Sequence, residues 1–222
     1  MKKKILIFIA IFPLFPLFSQ INLINDGIFE ETSLFADKTI TVFPENKGEW
    51  FPYIAKSESV NITTSADEHQ GTVVNIQTNS TPAKYSFVGQ RIEWTPVPAI
   101  YTLAFSAKTL ETNAKPIVNV YLKVKSDNQH EETYFRISPA KDQLDESACQ
   151  YVKSFRLNNF WEYYVVNFDL SKIIKISSNE LSKSHLCDAS DDERNDFYIA
   201  FSCAEVNTRV RITEVSLSLS KE

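Results

Sequence analysis

The sequence predicts an all-β protein, a β-sandwich of antiparallel sheets, and three observations carry that expectation. Hydrophobic periodicity is two rather than 3.6 along almost the whole chain, short polar turns separate the alternating stretches, and no long amphipathic helix appears. Apolar residues on every second position mean one buried and one wet face, the pattern of antiparallel sheets.

Taken in order, the mature chain opens on Asn22-Leu23-Ile24-Asn25-Asp26-Gly27-Ile28-Phe29-Glu30, where Asp26-Gly27 between apolar pieces reads as a turn with Gly27 at positive φ. Glu49-Trp50-Phe51-Pro52-Tyr53 reads as an aromatic loop beside Gly48. Strands are expected at Val60–Thr64, Thr72–Thr78, Tyr85–Trp94 and Ile100–Ser106, the last with Tyr101, Leu103 and Phe105 on one face. Trp94 shares parity with Ile92 and is expected in the core. Ile117–Lys125 alternates most cleanly, with Val118, Val120, Leu122 and Val124 inward and Asn119, Tyr121 and Lys123 outward. Thr133–Ile137 repeats this with Phe135 and Ile137 inward and Tyr134 and Arg136 outward. Further strands are expected at Tyr151–Leu157, Tyr163–Phe168, Phe197–Cys203 and Thr208–Leu219, with Trp161 packing near the start of the second. In the last, Val210 and Ile212 have one parity and Val215, Leu217 and Leu219 the other, so one inserted residue, a β-bulge at Thr213-Glu214, is required to keep both sets inward.

Several of these pieces, in this order, resemble bacterial carbohydrate-binding modules of the galactose-binding-like jelly-roll type (families 4 and 9). Asn22 to Glu30 is similar to the opening strand, Thr72-Val73-Val74-Asn75-Ile76 to an early strand, and Val97 to Lys108 to the central turn and strand. Trp161-Glu162-Tyr163-Tyr164-Val165-Val166-Asn167-Phe168 looks like the Trp-x-x-Tyr-x-Val-x-Phe strand, and Arg211 to Leu217 stands where that family has its Asp-Asp-Val-Ser-Leu ending. The departures are Ala99 for a turn glycine, Thr213 for the first aspartate, and Leu170 to Asp196, which looks like an insertion. The resemblance implies non-catalytic binding of a poly- or oligosaccharide. It also implies a structural calcium held between the first and last strands, for which Glu30 and Glu214 are the matching acids, although Thr213 removes one expected carboxylate.

Sugar recognition needs flat aromatic faces for the apolar sides of pyranose rings and polar forks for the hydroxyls. Asn119, Tyr121, Lys123, Tyr134 and Arg136 form such a set on the expected wet face, and Trp50 and Tyr53 offer a stacking platform at the edge. The plainer alternatives are a solvated sheet face for the first set and a core plug for the second. Candidate carboxylates for a glycosidase exist by type only, and no Gly-x-Ser-x-Gly elbow, histidine pair or phosphate loop is present, so a glycoside-active enzyme ranks below a protein-interaction or adhesion domain of the cell envelope as the rival reading.

The N-terminus carries Lys2, Lys3 and Lys4 ahead of an apolar run from Ile5 to Phe18, which reads as a signal peptide over residues 1–20 and leaves 21–222 as a single β-sandwich domain, secreted or periplasmic. The run is shorter than the ~20 residues that span a bilayer, so no membrane span is expected. Cleavage shifts the formal net charge from −5 to −8, since it removes three lysines and no acid, and an acidic chain argues against nucleic acid as a partner. With only Cys149, Cys187 and Cys203, a disulfide scaffold is excluded by count; Cys203 is expected to be a buried thiol, and Cys149 and Cys187 are free to pair or not in an oxidising compartment.

Overall fold

A computed structural model describes residues 21–30, 47–55, 59–80, 86–94, 96–125, 143–145, 150–172, 174–175, 187–188, 196–203 and 205–220. The strands in chain order are β1 (Trp50–Tyr53), β2 (Val60–Asp67), β3 (Gly71–Thr78), β4 (Phe87–Ile92), β5 (Ile100–Thr109), β6 (Ile117–Lys125), β7 (Gln143–Asp145), β8 (Gln150–Arg156), β9 (Glu162–Asp169), β10 (Ile174–Lys175), β11 (Cys187–Asp188), β12 (Asp196–Cys203) and β13 (Arg209–Leu219). Six form an antiparallel sheet in the order β1-β4-β12-β6-β8-β7, and five form a second in the order β2-β3-β13-β5-β9. β10 and β11 make a small parallel pair within the stretch expected to be an insertion. The antiparallel sandwich expected from the alternation, of the jelly-roll type that the resemblance implies, is what the chain forms.

The two inner faces meet in one core. Phe105 on β5 joins them: it stacks on Tyr164 of β9 at 5.2 Å and meets Phe155 of β8 and Phe201 of β12 edge-on at 5.4 and 5.2 Å. Burying an aromatic or aliphatic side chain of this size contributes about 1.5–3 kcal/mol, and the core holds Val118, Val120, Leu122 and Val124 from β6 as the alternation requires. Tyr101 is buried in the same core with its hydroxyl placed between the backbone N–H and C=O of Val97 at 2.9 and 3.2 Å.

The bulge is present. β13 pairs β5 with Thr213 opposite Ser106 but Ser216 opposite Ala104, one residue extra, and Glu214 sits at φ 53°. Beside it runs the opening stretch: Leu23 donates its N–H to Leu217 O at 2.7 Å, and Val215 donates to Gly27 O at 2.8 Å.

Four expectations are corrected. The positive φ of the opening turn falls on Asp26 (47°) and Phe29 (57°), not on Gly27; glycine is needed there for closeness, because a Cβ would lie 2.0 Å from Val215 O. The aromatic stretch at Trp50–Tyr53 is an edge strand rather than a loop, and Pro52 is tolerated because β1 pairs only with β4. Trp94 is 37% exposed, since β4 ends at Ile92 and strand parity no longer governs it. The face opposite the core on the six-stranded sheet is not wet, for Asn119, Tyr121 and Lys123 are buried on it.

Candidate functional site

The register places the outer face of the six-stranded sheet in transverse rows. Phe51, Gly89, Ala200, Tyr121 and Val152 lie in line across β1, β4, β12, β6 and β8, and Arg91, Tyr198, Lys123 and Gln150 form the next row. Asn119, Tyr121 and Lys123 therefore point away from the core, as their parity demands. They do not meet solvent: Tyr121 is 0% exposed and joins Phe51, Phe87, Val152, Tyr198 and Ala200 in a second apolar cluster, with Asn119 and Lys123 buried as well. Ser202 donates its hydroxyl to Tyr121 OH at 3.3 Å and Ser154 donates to Asn119 Oδ1 at 2.7 Å. Burial pushes the Tyr121 hydroxyl pKa well above that of an ordinary tyrosine, against the hydrogen bonds from Ser202 and Asn119. A ring closed on both faces does not stack on a sugar, and strand parity alone cannot report that closure.

The two β1 aromatics divide. Trp50 faces the core, tilted against Phe29 at 4.9 Å, and its indole N–H is shared between the carbonyls of Asn25 and Asp26 at 3.2 and 3.0 Å. It is the core plug. Tyr53 is half-buried and stacks on Phe87 at 5.0 Å with the rings 13° apart. Tyr134 and Arg136 lie outside the described residues.

An open aromatic surface occurs on the other sheet. Along β9, Tyr164, Val166 and Phe168 face the core, so Tyr163, Val165 and Asn167 face out, with Tyr163 60% and Val165 58% exposed. Next to them on β5 stand Ser106, Ala104 and Thr102, and beyond these on β13 stand Thr213, Ser216 and Ser218. The result is a shelf of small and hydroxyl-bearing residues with Tyr163 at its edge, in which Thr102, Ser216 and Ser218 are partly exposed and Ala104, Ser106 and Thr213 are buried. Thr102 donates to Asn167 Oδ1 at 2.9 Å, and Ser106 donates a short hydrogen bond to Glu214 Oε2.

One end of the shelf carries charge. Lys108 and Arg211 are direct cross-strand partners, and both reach the same oxygen of Asp67, Nζ at 3.0 Å and Nη1 at 2.8 Å. Arg211 Nε donates to Asn75 Oδ1 at 3.0 Å, and Asn75 donates to Ser65 Oγ at 2.9 Å. The Lys108 ammonium lies 4.6 Å from the centre of the Trp161 ring, a cation–π contact. The indole N–H of Trp161 is buried without an acceptor. Burial alone would raise the pKa of Asp67, but hydrogen bonds from Lys108 and the His69 N–H, the Lys108 charge and the bond from Arg211 together hold it well below the ordinary carboxylate range.

Glu30 and Glu214, the expected calcium acids, are both exposed. Glu214 accepts from Ser106, and the Glu30 N–H is held by Asp26 Oδ1 at 2.7 Å. No group of three His, Cys, Asp or Glu side chains comes together among the described residues, where calcium takes six to eight oxygens. No helix among the described residues is long and apolar enough to cross a membrane.

Comparison with known proteins agrees with the architecture. A family described as a domain of unknown function, DUF4627, matches residues 35–217. The chain belongs to the DUF4627 family. No curated protein matches this DUF4627 member. Among solved structures it is similar to a protein of Bacteroides thetaiotaomicron provisionally described as sugar-binding, at 21% identity and a TM-score of 0.60, covering 90% of this chain and 100% of that one. A structure described as CBM4 matches at 17% identity and a TM-score of 0.50 over 89% of this chain and 99% of that one. The enzymatically active domain of tailspike protein 4 of bacteriophage CBA120 also matches at 0.50 and 12% identity, over 90% of this chain but only 21% of that one. At these identities the likeness is one of fold, and the resemblance to carbohydrate-binding jelly rolls holds at that level.

Sequence reasoning missed Tyr163. The signal was present: in Tyr163-Tyr164-Val165-Val166 two parities are equally apolar, and the resemblance drew attention only to the inward set.

Proposed function

We propose that this DUF4627 protein is an exported, non-catalytic glycan-binding module, with its site on the outer face of the five-stranded sheet. The observation that carries the reading is Tyr163, exposed by 60% at the border of a shelf whose Thr102, Ser216 and Ser218 are partly exposed. An aromatic face beside fixed hydroxyls suits one side of a pyranose ring, and the sheet holds both without further ordering. The fold supports this, being shared with a CBM4 structure. Binding rather than catalysis is favoured because acids at and beside this face are committed: Asp67 to two cations, Glu214 to Ser106, and Glu162 to Tyr164 and Asn158 at 2.8 and 2.9 Å. Calcium at Glu30 and Glu214 would add stability to the chain ends, and a rise in Tm on adding calcium that Glu214→Gln removes tests it.

Affinity electrophoresis of the mature chain through a panel of polysaccharides, with Tyr163→Ala as the control, tests the glycan reading. Retardation by at least one polymer, lost in the variant, is expected. A second reading rests on the apolar character of the same edge: Phe160, Tyr163 and Val165 are all exposed, and an apolar stripe on a sheet edge also suits an envelope protein partner. Glycan-independent retention on such a partner would favour it.

A further inference from the structure

From the charged end of the shelf we infer that the glycan this site takes is acidic, carrying a carboxylate or sulfate ester on the ring that meets Tyr163; the inference rests on the glycan reading above. Lys108 and Arg211 stand directly opposite each other on neighbouring strands, an arrangement that is unfavourable unless an anion lies between them. Among the described residues only one oxygen of one carboxylate does so, Oδ2 of Asp67, which both cations share at 3.0 and 2.8 Å. Of the other carboxylates on this face, Glu214 accepts from Ser106, and Asp169, at the far end of β9, accepts from Ser171. Two positive charges thus share one negative charge, on a chain whose formal net charge is −5.

The cations keep donors in reserve. Lys108 uses one N–H on Asp67 and rests against Trp161; Arg211 uses Nε on Asn75 and Nη1 on Asp67, which leaves Nη2 unspent. Both side chains are partly exposed, by 16% and 24%, whereas that of Asp67 is 5% exposed. Tyr163 is the outward neighbour of Ser106, and Ser106 is two residues from Lys108 on the same face. A pyranose stacked on Tyr163 would bring an acidic substituent to the cation pair, where a guanidinium edge and an ammonium bind carboxylate or sulfate by charge-assisted hydrogen bonds.

Affinity electrophoresis of the mature chain against polygalacturonate, dextran sulfate, neutral galactan, xylan and β-glucan separates the possibilities. The expected result is retardation by an acidic polymer at least about tenfold stronger than by any neutral one, weakened by added salt and abolished by Tyr163→Ala. Lys108→Met and Arg211→Gln should weaken it. Asp67→Asn should strengthen it about threefold or more, because it frees both cations for the ligand, and a purely structural network would not give that gain. Thermal unfolding at the assay pH confirms that each variant is folded. Polygalacturonate presents a carboxylate and dextran sulfate a sulfate ester on a different sugar and linkage. Each is therefore run beside its uncharged form, fully methyl-esterified pectin or plain dextran, and retention of a charged polymer over its uncharged form names the substituent. Retention by a neutral polymer at equal strength, with all three charge variants binding as wild type, overturns the acidic ligand and leaves the glycan reading standing. Retention by dextran sulfate that survives Tyr163→Ala is simple ion exchange and also overturns it. No retention by any polymer removes both.

Discussion

Val215 donates its backbone N–H to the carbonyl of Gly27 at 2.8 Å, and that bond ties the Asn22–Glu30 segment to β13 directly after the bulge. Asn22 strengthens the tie from its side chain, its Oδ1 accepting the Leu217 N–H at 3.0 Å. Gly27 is required because the backbones approach too closely for a Cβ, which would sit 2.0 Å from Val215 O and 3.0 Å from its carbonyl carbon. Backbone atoms inside a sheet cannot move aside cheaply.

Gly27→Ala is therefore expected to destabilise the fold by about 1–3 kcal/mol, the range for forced overpacking. Urea unfolding checks this: the midpoint should fall with an unchanged slope. An unchanged midpoint would show that the opening segment is not held as described.

The two tyrosines on opposite sheets should separate stability from binding. Tyr121→Ala empties a fully buried position and is expected to cost about 3–5 kcal/mol, while Tyr163→Ala at an exposed one should stay within about 0.5 kcal/mol of wild type. Denaturant titration of both variants reads the difference. A mild Tyr121→Ala would mean that its ring is open after all.

Asp67 sets a limb of the pH profile. Its folded pKa lies below the ordinary 3.8, so its ionised pairing with Lys108 and Arg211 stabilises the fold fully above the unfolded pKa. That contribution is lost as pH falls through the folded value. Asp67→Asn should thus lower Tm at pH 7, and the gap to wild type should narrow as pH drops below about 4. A gap independent of pH would contradict the ionised pair.

Cys203 is buried, touches Thr208 Oγ1 at 3.2 Å, and has its thiol pKa raised by burial. Alkylation of the native protein followed by peptide mass mapping should leave Cys203 unmodified until denaturant is added. Rapid native labelling there would contradict the packing of β12.

Much of this fold could be read from alternation. The range of β6 matches its sequence expectation to the residue, and the parity change between Ile212 and Val215 located the bulge, because side-chain period two leaves no other way to keep both sets inward. Parity assigns a face, however, and not what lies against it. Asn119, Tyr121 and Lys123 point outward as expected and are nonetheless buried. Trp50 shows a second limit: Gly48 and Pro52 suggested a loop, but a proline costs little on an edge strand, and edge position is a property of the whole sheet. The charged end of the shelf was invisible for a related reason. Asp67, Lys108 and Arg211 come from three strands far apart in the chain, and only the order β2-β3-β13-β5-β9 brings them together.

The most direct measurement is glycan retention by wild type, Tyr163→Ala and Tyr53→Ala in parallel, since Tyr163 borders the shelf on one sheet and Tyr53 belongs to the aromatic cluster on the other. The shelf predicts that Tyr163→Ala loses retention and Tyr53→Ala keeps it. Retention that survives in Tyr163→Ala and fails in Tyr53→Ala would contradict the account and move the site to the six-stranded sheet.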